Sequence, residues 1–125
     1  MNEAELKQRT KQFGLGVFKL VAALPKNVQG RAIGNQLVRS GSSVGANYRA
    51  ACRARSKAEF ISRLGVVEEE ADEGAYWMEM IIEADLIKPA LVKPLLAEAN
   101  ELVAIITSSR ISAARKLIKN QKSKI

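Results

Sequence analysis

The stretch Arg39 to Phe60, RSGSSVGANYRAACRARSKAEF, constrains this chain more than any other. Gly34 lies just upstream, and Gly41 and Gly45 alternate with Ser40, Ser42 and Ser43 inside it. A glycine in a helix interior costs about 1 kcal/mol relative to alanine, so the run is a poor helix former by itself. It becomes sensible if the missing side chains let a second helix approach closely. A true break near Gly41-Ser42 is the competing reading. Ser56 followed by Glu59 then gives a helix start: the serine oxygen and the glutamate carboxylate each reach a backbone N–H of the first turn.

On either side of this stretch, apolar residues recur four and three apart, the spacing that draws one stripe along a helix. A first helix is predicted over 2–24 on Leu6, Thr10, Phe13, Val17, Leu20 and Leu24, with Phe18 and Val21 widening its buried face, and Pro25 closes it. A second over 29–54 carries Ile33, Leu37, Val44 and Tyr48. The third, over 57–87, has the longest regular pattern, including Phe60, Leu64, Val67, Ala71, Gly74, Met78 and Ile81. Pro89 and Pro94 bracket the start of a fourth over 89–118, where proline is tolerated in the first turn. Residues 119–125 read as a basic, frayed tail. No alternating strand pattern or repeat interrupts the series. Short connections imply an all-α, up-down-up-down four-helix bundle in one domain, residues 1–118. The short Arg55-Ser56 link makes helices two and three antiparallel neighbours. Counting outward from it predicts Gly45 opposite Val67, Gly41 opposite Ala71, and Gly34 opposite Trp77 or Met78.

A chain of 125 residues can bury roughly two-thirds of its unfolded surface, enough for an independent core. There is no histidine, which removes a Ser–His–Asp triad, a Glu-x-x-His di-iron site and a conventional zinc site. No metal or other cofactor is expected. The apolar runs are too short to cross a membrane, so no membrane partner is expected. MNEAELKQRTKQF lacks the apolar centre of a secretion signal, and the cytoplasm is the expected location. Cys52, the single cysteine, reads as a small buried apolar residue rather than a nucleophile.

The net charge is +7, which suits an anionic partner. Its distribution says more: no acid occurs between Glu5 and Glu59, a segment rich in lysine and arginine, and the chain is basic again after Glu101. The acids gather in helix three, from Glu68 to Asp85. Arg49 and Arg53, one helical turn apart, lie beside Arg55 and Lys57; Arg115, Lys116 and Lys119 form a second basic group, continued by Lys122 and Lys124. These are the candidate nucleic-acid-binding residues, because the guanidinium fork matches phosphate oxygens. Pairing of Arg49 and Arg53 with Glu59 or Glu69 is the structural alternative. Asn47, among small residues, reads as a polar core residue that fixes helix register, with Glu70 as its partner. Tyr48, Tyr76 and Trp77 could stack on bases, but at their spacings they read first as core or subunit-contact residues.

Gln36-Leu37-Val38-Arg39-Ser40, Ser43-Val44-Gly45-Ala46-Asn47, the Ser56–Phe60 link and Glu70-Ala71-Asp72-Glu73 before Tyr76-Trp77-Met78 resemble the bacterial four-helix bundle protein family. Some of its members are encoded in intervening sequences of large-subunit ribosomal RNA genes; the accessory variability determinant of diversity-generating retroelements is a relative. The resemblance implies self-association, typically a pentameric ring. For the retroelement relatives it implies RNA or DNA association beside a reverse transcriptase. Many members carry an acid three residues after the asparagine, where this chain has Ala50. The family offers no catalytic residues to carry over.

Charge segregation also fits head-to-tail contacts between subunits, which close into rings when the rotation permits. Glu69-Glu70-x-x-Glu73 resembles half of the magnesium-binding motif of all-α nucleotide pyrophosphohydrolases, but the second half is broken because Ile82 stands where an acid is needed. The sequence reading is a non-catalytic, homo-oligomeric accessory protein that holds RNA on a basic surface. The alternatives are an adaptor ring for a protein partner such as a reverse transcriptase and, more remotely, that hydrolase.

Overall fold

The computed structural model describes residues 1–123. Each of its first three helices is started by a side chain that accepts an otherwise orphaned backbone N–H. Asn2 caps α1 (Glu3–Ala22) by accepting from Glu5 N, and Asn27 caps α2 (Val28–Cys52) by accepting from Gly30 N, each at 2.8 Å. Ser56 caps α3 (Lys57–Glu83), accepting from Glu59 N at 3.1 Å. The Glu59 carboxylate reaches back to Arg55 N at 2.9 Å, one residue beyond the usual partner. α4 (Pro89–Ser123) begins on a proline and carries Pro94 inside it.

α1 and α2 each end two residues short of the sequence expectation, at Ala22 and Cys52, and two ends differ by more. α3 stops at Glu83 because Asp85 adopts φ 54°, a left-handed conformation that aspartate tolerates. Leu86 N then donates to Ile81 O and Asp85 N to Ile82 O, both at 3.1 Å, closing the helix with paired carbonyls. α4 continues past Ile118 to Ser123, so the expected tail is helical as far as it is described. Lys124 and Ile125, the rest of that tail, lie outside the described residues.

The helices pack as a closed square in chain order: α1 against α2, α2 against α3, α3 against α4, and α4 back against α1. Its centre is filled by Phe13, Val17, Leu37, Leu64, Met78 and Ile106 with their buried neighbours. The buried Thr10 hydroxyl donates to Leu6 O at 2.9 Å, so it carries no unmet hydrogen bond. No helix is long and apolar enough to cross a membrane among the described residues.

α2 is unbroken through Gly41 and Ser42. Its glycines, however, do not receive α3. A β-carbon on Gly41 would lie 2.6 Å from Val17 Cγ2, and one on Gly45 would lie 3.3 Å from the backbone of Thr10. Gly34 faces Val21. The small stripe therefore seats α1, and the predicted pairing with Val67, Ala71 and Trp77 or Met78 is incorrect. Both neighbours of α2 are reached through short connections, and the fit of Val21 at Gly34, Val17 at Gly41 and the Thr10 backbone at Gly45 places the small stripe against α1.

Candidate nucleic-acid interface

Alternation of helix direction brings the start of α1, the end of α2, the start of α3 and the end of α4 to one end of the bundle. The seven basic candidates lie on those segments or in the α2–α3 link that joins two of them: Arg49, Arg53, Arg55, Lys57, Arg115, Lys116 and Lys119. All seven are exposed. They do not form one cluster. Arg49 and Arg53 line a groove between α1 and α2, together with Lys7 and Lys11. Lys57 and Lys116 border a different hollow between α3 and α4, beside Phe60 and Ser112. Arg115, Lys119 and Lys122 lie farther along α4 with Ile118. Ile106 is the last buried residue of α4, and the helix runs on for about 25 Å beyond it at ~1.5 Å per residue.

The arginines divide into two sets by partner. Arg9 on α1 reaches Glu98 on α4 at 2.7 Å and Glu101 at 3.0 Å. Arg39 on α2 is held by Glu70, at 3.1 Å, and by Glu73 on α3. Arg110 on α4 meets Glu68 on α3 at 2.7 Å, and Arg63 pairs with Glu59 one turn away at 3.2 Å. Arg110, with the Thr107 hydroxyl, holds the Glu68 carboxyl below its ordinary range. By contrast, Arg49, Arg53, Arg55 and Arg115, and Arg31 at the far end of α2, enter no ion pair among the described residues. The structural alternative for Arg49 and Arg53 is thus not what the side chains do. Glu59 is engaged by Arg55 N and Arg63, and Glu69 is exposed without an ion pair.

The proposed Asn47–Glu70 contact is absent. Asn47 is half-buried, and its amide donates to Ser43 O of its own helix at 2.8 Å. Glu70 is engaged by Arg39 instead, because the helix register places Arg39 rather than Asn47 opposite it. Glu73 also accepts from Trp77 Nε1 at 3.3 Å. Two of the three carboxylates that suggested half of a magnesium motif, Glu70 and Glu73, therefore converge on the Arg39 guanidinium, while Glu69 stays exposed. No group of three or more metal-ligating side chains occurs among the described residues.

Of the aromatics, Tyr48 is buried, while Tyr76 is exposed and meets the half-buried Trp77 edge-on, with ring centroids 5.0 Å apart. Phe18, expected to widen the core stripe, is 47% exposed and lines the α1–α2 groove. Burial pushes the Cys52 thiol pKa upward, which disfavours the nucleophilic thiolate. Sequence reasoning did not assign Lys7, Lys11 or Phe18 to a site. The signal was present in their spacing, since residues 7, 11 and 18 fall on one side of α1.

A family model described as 23S rRNA-intervening sequence protein matches residues 2–108. The chain belongs to that family. The match ends within α4, so Arg115, Lys116 and Lys119 lie beyond it. Among solved structures, the chain is similar to a Bacteroides thetaiotaomicron protein of unknown function from the S23 ribosomal protein family. The TM-score is 0.81 at 28% identity, covering 88% of this chain and 98% of that one. No curated protein matches. The family assignment agrees with the resemblance seen in the sequence, and the structural likeness agrees with the four-helix fold.

Proposed function

We propose that this member of the 23S rRNA-intervening sequence protein family is a non-catalytic, homo-oligomeric RNA-binding protein. Its binding surface is the basic end of the bundle. The observation that carries this reading is the division of the arginines. Arg9, Arg39 and Arg110 meet carboxylates across helix seams and Arg63 pairs within α3, whereas Arg49, Arg53, Arg55 and Arg115 gather at one end, exposed and without an ion-pair partner among the described residues; at the other end only Arg31 is in that state. A set of solvent-facing cations without internal partners raises the local potential and attracts a polyanion. Such contacts hold phosphates without reading sequence. A ring of subunits would repeat this end around an axis and multiply the phosphate contacts. Exposed apolar side chains such as Tyr76 and Leu91 are compatible with subunit contacts.

The test is RNA affinity across a salt series, on protein of known oligomeric mass. The expected log–log slope steepens by about −0.7 for each phosphate neutralised on a single strand. Affinity that is absent at low salt would overturn the reading and favour the adaptor role, with a protein partner in place of RNA.

A further inference from the structure

The groove between α1 and α2 has a cationic half and an apolar half. It lies where α1 rests on the glycines of α2, a recess of about 530 Å³ lined between its charged and apolar ends by Thr10, Gly14, Gly45 and the exposed Ala46. That volume is ample for one small organic ligand. Lys7 and Lys11 on α1 are one turn apart, and Arg49 and Arg53 on α2 repeat the spacing across the recess. Only Lys7 has an acidic partner, Glu3 at 3.3 Å; Lys11, Arg49 and Arg53 have none among the described residues. Toward the other end of the same groove stand Leu15 and Phe18, 45% and 47% exposed, although each projects from a helix with a core to bury into.

We propose that this groove is a binding site for unpaired nucleotides, with backbone phosphates held by Lys7, Lys11, Arg49 and Arg53 and an unstacked base lying against Phe18 and Leu15. The proposal rests on the RNA-binding reading and specifies where and in what form RNA is held. Three features select this ligand. The cations are arranged in two facing rows, which suits a charged backbone running between them. From Lys7 to Phe18 the groove extends about 16 Å at ~1.5 Å of rise per residue, so the charged and apolar parts fall within reach of one short strand. A base offers a π-face to an aromatic side chain whatever its identity, so the pocket requires no sequence readout. A duplex cannot use the floor, because its bases are stacked inside and its phosphates meet only the rim.

The test compares a labelled oligouridylate of about ten nucleotides with an RNA duplex of the same length, a size within one single-strand binding site. Wild-type protein should bind the single strand more tightly. Phe18→Ala removes an exposed ring, and Ala46→Phe fills the recess without changing charge; thermal melting verifies that both remain folded. Each variant should weaken single-strand binding about tenfold or more, the size expected for loss of one base stack. The salt slope and the duplex affinity should stay unchanged. If both variants bind the single strand as wild type does, while Arg49→Glu with Arg53→Glu abolishes binding, RNA is held on the rim and the groove proposal is overturned, with the RNA reading intact. Failure of wild-type protein to bind either RNA overturns both.

Discussion

The α1–α2 seam and the α3–α4 seam solve the same packing problem in opposite ways. Between α1 and α2, contact comes from side chains that are missing: Val17 enters the recess at Gly41, and the backbone of Thr10 lies against Gly45. Between α3 and α4, side chains such as Leu64, Val67, Leu102 and Ile106 contribute to the buried core, and Glu68 bridges outward to Thr107 and Arg110. No ion pair joins α1 to α2 among the described residues. The difference teaches why the two seams can serve different purposes. A seam closed by close backbone approach does not need its flanking cations for stability, so Lys11, Arg49 and Arg53 remain available to a ligand. A seam clamped by Glu68 has already used its arginine.

The sharpest way to break the first seam is Gly41→Val. With Val17 already 2.6 Å from where a β-carbon would stand, the two helices must separate, at a cost of about 3 kcal/mol. Chemical denaturation should record this, and adding Val17→Ala should restore part of the loss. Next in size is Arg49→Glu with Arg53→Glu. Stability should move by no more than about 0.5 kcal/mol, as for ordinary surface changes. RNA affinity should fall at least about tenfold, because the substitutions replace phosphate attraction with repulsion. A melting curve and a binding titration on the same sample separate the two effects.

The second seam responds to acid. The native Glu68 carboxyl is held below its ordinary range by Arg110 first and Thr107 second. Its contribution to stability is therefore complete above the unfolded-state value of about 4.3 and is lost as pH falls through the lower native value. Glu68→Gln should destabilise the protein by up to about 1 kcal/mol at neutral pH and flatten the acid limb of a stability–pH profile. The smallest effect sharpens the contrast between glycines. A β-carbon placed on Gly65 of α3 would meet nothing within 4 Å, so Gly65→Ala should stabilise by about 0.5 kcal/mol. Equal losses at Gly41 and Gly65 would mean that α1–α2 contact is not the reason for the α2 glycines.

The site was only half legible in the sequence. Arg49 and Arg53 stood out because they share a helix face in a segment without acids. That Lys7 and Lys11 would face them was not legible, because the pairing joins residues about forty positions apart through the choice of a neighbour for α2. Phe18 was misjudged for a related reason. Its spacing sits at the margin of the buried stripe of α1, and the close approach of α2 turns that margin outward into the groove. Asn47 and Glu70 were paired on the assumption that the small face of α2 meets α3, and that assumption failed as a whole.

What the sequence by itself determined is local. Helix number, the capping side chain Ser56, the apolar stripes and the excess of cations on particular segments all follow from short-range hydrogen bonding and the 3.6-residue period. Only the tertiary structure decided which helix fills the glycine recesses, which arginines meet carboxylates and which are left exposed, and that α3 ends at Glu83, ahead of the left-handed Asp85, rather than at residue 87. These depend on how side chains from distant segments fit in three dimensions. Helical periodicity says which face is apolar; complementary shape and charge decide which partner that face receives.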